Sequence, residues 1–233
     1  MKVVIIEGMD NTGKTTVIHG LMEKYNNVYY MHAVKPDIKD PIKCAIAQQD
    51  AFIRMANDVV SLKRSNIKVD LVILDRSWVG EYVYGCLYRG NGDDFVKSMI
   101  NDCYMLLRNA GTGLFPLDFS TILYTASPEF CTKNDDGKSI SKGRIEAIKK
   151  EGERFLEIIK SGCVIGKKAI INVEDEDGNF KSKEAIIDMT LKVIDDHQDN
   201  NLSTDLLYID GILQKDEEKE DPAGGAADGD SAV

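Results

Sequence analysis

No apolar stretch in this 233-residue chain approaches the roughly 18 residues that a membrane-spanning helix needs. The longest one near the start, Val3 to Ile6, stops at Glu7, too short for the core of a signal peptide. These absences predict a cytoplasmic protein that does not engage a membrane. Cysteine pairs with metal-ligand spacing are missing too. Cys44, Cys86, Cys103, Cys131 and Cys163 are odd in number and scattered, and His19, His32 and His197 are equally dispersed. Reduced thiols are expected, and a zinc site is not. Positive charge is scarce: 29 Lys and Arg against 39 Asp and Glu give −10. Nucleic-acid binding needs clustered Lys and Arg to neutralise phosphates, so it is excluded. A small phosphorylated ligand needs only a local basic pocket and is not excluded. Internal repeats and low-complexity tracts are absent from the body of the chain.

What is present is ordinary for a globular protein, with 43% apolar and 29% charged residues. The length suits one domain with a sizeable core. Residues 3–6 and 69–74 read as fully buried strands, and 28–32, 121–124 and 169–173 as further strands. Helical periodicity fills 14–25, 78–87, 95–107, 144–159 and 183–194. Asp40-Pro41 is a helix start, an N-cap with proline at the first helical position. The helix after it carries Ile42, Ile46, Phe52, Ile53, Ala56, Val60 and Leu62 on its apolar side. Alternating strands and helices predict an α/β fold: a parallel sheet with helices on both faces. From Gln214 to the end, two Lys face seven Asp and Glu, a net of −5. Residues 215–233 therefore read as an acidic disordered tail. Asp175, Asp177, Gly178 and Glu184 have part of a calcium loop's spacing, but position 1 would be Val173, so an acidic turn is expected.

Gly8-Met9-Asp10-Asn11-Thr12-Gly13-Lys14-Thr15 fits G-x4-G-K-[ST] in full, between a buried strand and a helix. The glycines let backbone N–H groups turn inward around a polyphosphate, and the helix dipole adds partial positive charge. Gly8, Asn11, Thr12, Gly13, Lys14, Thr15 and Thr16 form the expected ATP site. Lys14 reaches the β- and γ-phosphates, and the Thr15 hydroxyl ligates Mg²⁺. Asp75-Arg76 stands at the carboxyl end of the next buried strand, the edge where open parallel sheets bind ligands. Asp75 can hold the metal, and Arg76 can clamp a second phosphate in a bidentate fork.

The chain here resembles the thymidylate kinase family of nucleoside monophosphate kinases. Glu7 to Thr16 looks like that family's E-G-x-D-x-x-G-K-T-T, and Asp75-Arg76-Ser77 like its D-R-Y/H. Tyr84 matches a tyrosine near the acceptor sugar, and Ser127-Pro128-Glu129 a turn after the fourth strand. Residues 133–144, then Glu153-Arg154-Phe155, resemble the mobile LID and the helix after it. The resemblance covers about residues 1–196 and is strongest to members from large bacteriophages, which would place the protein in a host's cytoplasm. It implies a P-loop NTPase fold with a five-stranded parallel sheet, ATP and Mg²⁺, and a homodimer. It divides the chain into a kinase domain at 1–200 with a LID at about 132–144, an extension at 201–214, and the tail. The P-loop here has no Arg, so positive charge at the transferring phosphoryl group must come from Lys138, Lys142 or Arg144. By the same resemblance Asp10, Phe52, Arg54, Arg76 and Tyr84 bind the acceptor; Glu81 stands where the family usually has an Asn or similar residue that can touch the base, and the charge of Lys35 would attract the acceptor phosphate. Glu81, acceptor-only when ionised, would favour a base edge with N–H donors, and Tyr84 would pack where a ribose 2′-hydroxyl projects. The family's Phe and Arg base readers are four residues apart, whereas Phe52 and Arg54 are two apart.

A monophosphate kinase attacks with an oxygen that is already ionised and needs positioning and charge neutralisation. A deoxynucleoside kinase attacks with a sugar hydroxyl and benefits from a carboxylate base. That related family has a glutamate before a proline after the second strand; here the pair is Lys35-Pro36, with Asp37 next. The expected reaction is ATP-dependent phosphorylation of a nucleoside monophosphate, dTMP or another or several deoxynucleotides. The alternatives are a deoxynucleoside kinase and a non-catalytic nucleotide-binding regulator.

Overall fold

A computed structural model describes residues 1–65, 67–110, 117–195 and 206–209. The strands are β1 (Lys2–Gly8), β2 (Val28–His32), β3 (Leu71–Asp75), β4 (Asp118–Thr125), β5 (Lys167–Asn172) and β6 (Leu206–Ile209). The helices are α1 (Lys14–Lys24), α2 (Pro41–Arg64), α3 (Trp78–Tyr88), α4 (Asp93–Ala110), α5 (Pro128–Lys133), α6 (Ile145–Lys160) and α7 (Lys183–Asp195). Every predicted strand and helix is present. The sheet is parallel throughout, in the order β2-β3-β1-β4-β5-β6.

The five predicted strands form the expected sheet, and β6 adds a sixth to its edge by pairing with β5 from Lys168↔Leu206 to Ile171↔Ile209. The extension assigned to 201–214 thus contributes backbone to the sheet. The tail at 215–233 and the domain limit at 200 lie outside the described residues. Val3 to Ile6 and Leu71 to Leu74 are almost wholly buried, as continuous apolar runs require when helices cover both faces. No helix among the described residues is long and apolar enough to cross a membrane.

Local signals explain the helix starts. Asp40 caps α2 by accepting from Lys43 N–H, Ser77 caps α3 through Val79, and Ser127 caps α5 through Phe130. The expected turn at Ser127-Pro128-Glu129 is therefore the start of a short helix. On α2 the expected apolar side holds only in part. Phe52, Ala56 and Val60 are buried, whereas Ile42 and Ile46 are 73% and 53% exposed, because the buried face of the first turns runs through Cys44 and Gln48 instead. The acidic turn closes on itself, with Asp175 Oδ1 accepting from Asp177 and Asn179 N–H. The five cysteines are free.

Candidate active site

The site begins where β1 ends. Gly8 has φ +143°, and a Cβ there would stand 2.3 Å from the Tyr124 carbonyl oxygen on β4, so only glycine fits. Gly13, at φ 72°, starts α1 in the left-handed region. Unlike α2, α3 and α5, α1 has no side-chain cap, and its first turn carries no acidic residue. Its orphan N–H groups stay open, with the positive end of the helix dipole behind them. Lys14 folds over the loop. Its Nζ donates to Gly8 O (3.0 Å), Met9 O (2.5 Å) and Thr12 Oγ1 (3.3 Å). Burial pushes its pKa down to about 8.

A cavity over this loop is lined by Asp10, Asn11, Thr12, Gly13, Lys14, Thr15, His32, Asp75, Arg76 and, from the turns between α5 and α6, Asp136, Lys138, Ser139 and Ile140. Thr16 is exposed one step beyond it. Asn11 Nδ2 ties the loop to that segment by donating to Asp135 Oδ1 (3.3 Å). Asp75 Oδ2 accepts from Tyr30 OH (2.8 Å) and lies 2.9 Å from His32 Nδ1. The Thr15 hydroxyl and the remaining Asp75 oxygen fit a hard divalent cation such as Mg²⁺, which takes one or two protein oxygens and completes its shell with phosphates and water.

A second cavity opens beyond Arg76, lined by Ala33, Lys35, Gln48, Phe52, Arg76, Ser77, Gly80, Glu81, Tyr84, Arg89 and Ile140. Arg76 and Ile140 are common to both cavities. Arg76 sits at φ 57°, pairs through Nη2 with Asp10, and holds its guanidinium 5.4 Å from the Tyr84 ring centre. The structure thus places Lys35, Phe52, Arg76, Glu81 and Tyr84 around the second cavity and Asp10 in the first.

It does not gather the rest of the expected set. Arg54 lies on the exposed side of α2, where its Nε donates to Asp50 O, and it lines neither cavity. Two residues along a helix turn the side chain by roughly 200°, so Phe52 and Arg54 cannot serve one pocket. Lys142 is exposed, and Arg144 caps α6 beside a groove with Tyr88 and Lys150. Of the three expected loop cations, Lys138 alone lines the cavity over the P-loop. Glu81 is not free to read a base. It accepts from Arg89 Nε (3.2 Å), Arg89 Nη2 and Asn91 Nδ2 (2.8 Å), and burial raises its pKa against these bonds. Arg154 bridges to Asp93 (2.6 and 2.9 Å) over the Tyr82 ring, tying α6 to α3 and α4 away from both cavities.

Sequence reading missed Gln48, Arg89, Asn91, Tyr30 and His32. Gln48 had a signal, since it stands one helical turn before Phe52. Arg89 and Asn91 follow the end of α3 and gave none.

Glu7 explains the serine of Asp75-Arg76-Ser77. Ser77 N–H (2.7 Å), Ser77 hydroxyl (2.8 Å) and Gly80 N–H (3.2 Å) all donate to Glu7 Oε1, which ties β1 to the start of α3. Glu7 Oε2 is buried without a partner, and burial pushes the pKa from 4.5 up to about 7. Between those values the folded chain holds a proton that the unfolded chain has released. The contribution is full below pH 4.5 and is lost as pH rises through 7. At about 1.4 kcal/mol per unit the loss is on the order of 3 kcal/mol. Urea unfolding at pH 5.5 and 8.5 should show Glu7→Gln losing less stability across that interval than wild type. Equal losses in the two proteins would contradict the assignment.

No protein-family model matches the sequence, and no curated protein matches it. Solved structures do. A thymidylate kinase from Candida albicans is 19% identical over 83% of this chain and 90% of its own, with a TM-score of 0.50. A thymidylate kinase from Ehrlichia chaffeensis is 19% identical over 82% of this chain and 97% of its own, with a TM-score of 0.51. At this identity the likeness shows the fold: the chain has the P-loop NTPase architecture of these enzymes.

Proposed function

We propose that the protein transfers the γ-phosphoryl group of ATP to a nucleoside 5′-monophosphate, giving ADP and the diphosphate, in nucleotide biosynthesis. The observation that carries this reading is the position of Arg76, where the cavity over the P-loop meets a second, partly apolar one. ATP is assigned to the P-loop side, held by the backbone of Gly8 to Thr15, by Lys14 and by Thr16. The acceptor is assigned to the other side, with its phosphate between Arg76 and Lys35 and its base against Phe52. Both phosphates then approach one guanidinium, which neutralises charge where it develops. Mg²⁺ held by Thr15 and Asp75 would supply further charge neutralisation at the β- and γ-oxygens.

The segment between α5 and α6 is proposed as the LID, with Lys138 already at the phosphates and Lys142 and Arg144 reaching them on closure. Lys138→Ala should cut kcat about 10-fold or more while ADP affinity changes less than threefold, the mark of an interaction made mainly in the transition state. Lys142→Ala and Arg144→Ala measured beside it apportion the role, and normal turnover in all three would reduce the loop to a solvated surface.

The test of the function is ADP formation with a panel of ribo- and deoxynucleoside monophosphates and free nucleosides. Tyr84 lines the acceptor cavity with its hydroxyl buried and unpartnered. With the Tyr84 ring packed where a ribose 2′-hydroxyl would project, that hydroxyl has no room, and deoxy acceptors should be favoured by about 10- to 100-fold in kcat/KM, at roughly 1–3 kcal/mol. Equal use of both sugars would remove that role from Tyr84. A second reading, a deoxynucleoside kinase, is favoured by one observation: Asp75 backs His32 in the manner of a base that could take a hydroxyl proton. Asp37, the carboxylate that might have served instead, is exposed and lines neither cavity. Preference for free nucleosides would select this reading. A homodimer is also proposed; it would cover the exposed Ile42 and Ile46, and light scattering after gel filtration measures it.

A further inference from the structure

Gln48 lies on α2 one turn before Phe52 and lines the same cavity as Phe52, Arg76, Tyr84 and Arg89. The residue is 4% exposed. Its Oε1 is shut off from solvent and accepts no hydrogen bond, and among the described residues its Nε2 has no partner either. Buried amides are nearly always hydrogen-bonded, because an unmet donor or acceptor forfeits what water would have supplied. Gln48 thus lies at the wall of the acceptor cavity with an amide that no described residue satisfies. The neighbouring carboxylate offers a contrast. Glu81 is held by Arg89 and Asn91, which consume its oxygens and the Nε and Nη2 of Arg89.

We propose that Gln48 reads the base of the acceptor nucleotide, and that it accepts any of the four common bases. This rests on the monophosphate-kinase reading above. Each base sets a donor beside an acceptor on its Watson–Crick edge. Thymine and guanine present a carbonyl and then a ring N–H. Adenine and cytosine present an amino group and then a ring nitrogen. A carboxamide carries an acceptor and a donor side by side. It meets the first pattern in one orientation and the second after a half-turn about its last torsion. That turn exchanges oxygen and nitrogen within the same volume. An enzyme built for one base would pin the amide with a neighbouring partner, as Glu81 is pinned, so that the wrong pattern left unpaired groups. Among the described residues Gln48 has no such partner, so the ligand sets its orientation. Phe52 adds a ring on which every base can stack, and stacking is tolerant of sequence.

The experiment measures kcat/KM for dAMP, dCMP, dGMP and dTMP at saturating ATP, and Kd for the same four by calorimetry without ATP, in wild type and Gln48→Met. In wild type the four kcat/KM values should fall within about 30-fold of one another; a wider spread overturns the base tolerance. In Gln48→Met the Kd and KM of every acceptor should rise at least fivefold, with ATP affinity unchanged. A smaller rise for the acceptors overturns the reading role. If Gln48→Met does not fold, Gln48→Glu keeps the shape and loses the amide donor, and the same threshold applies. If wild type binds the monophosphates but phosphorylates none of them, the proposed function fails while the Kd comparison still decides the role of Gln48. If it binds none, both fail.

Discussion

Lys14→Ala should lower kcat for ADP formation by about 10²-fold or more, by analogy with other preorganised electrostatic groups. Lys14 is the buried cation of the P-loop, and its ammonium is held over the loop by two carbonyl oxygens and the Thr12 hydroxyl. That placement aims charge at the cavity floor. Those contacts are neutral, so the charge of Lys14 stays available to an anion. The variant gives up three bonds to the loop but should fold, because Gly8, Gly13 and the Thr12 bond to Met9 O still set the loop's course. The measurement is single-turnover ADP formation at saturating acceptor, with circular dichroism as the folding check. Near-normal turnover would sink the phosphoryl-transfer mechanism as assigned here.

Arg76→Ala should lower kcat/KM for the acceptor by about 10²- to 10³-fold, the range for a removed transition-state donor, while ATP binding changes less than threefold. Arg76→Lys should recover little. A lysine supplies a point charge but not the planar fork that spans two phosphates. The position also has a cost, since Arg76 holds φ 57° where a side chain is uncommon. Asp10 keeps the guanidinium in place, so an incoming phosphate shares or displaces an existing ion pair. Asp10→Asn should therefore damage the reaction less than loss of Arg76. A large loss of ATP affinity in Arg76→Ala with acceptor affinity intact would mean that the two cavities are assigned the wrong way round.

The two halves of the site were legible to different degrees. Gly8 to Thr15 could be read because phosphate binding there uses contiguous backbone, and the turn chemistry of two glycines is local. Asp75 and Arg76 could be read because a buried apolar strand must end at the ligand-binding edge of a parallel sheet. The acceptor side is built by side chains from α2, α3 and the residues after α3, so spacing along one helix was a poor guide. Phe52 points inward and Arg54 outward for the same periodic reason, and Gln48 takes the inward place.

By itself, then, the sequence determined the order of strands and helices, the parallel sheet, the P-loop and the strand-end Asp75-Arg76 pair, since each follows from burial pattern or local backbone chemistry. Only the tertiary structure decided that Glu81 spends its charge on Arg89 and Asn91, and that the Gln48 amide is left without a partner among the described residues. It alone brought Lys138 rather than Arg144 to the cavity over the P-loop, and it added β6 to the edge of β5. The reason is physical. A charged or amide group takes its role from the partners around it, and those partners come from chain segments that meet only on folding. Strand and helix periodicity is written in neighbours along the chain.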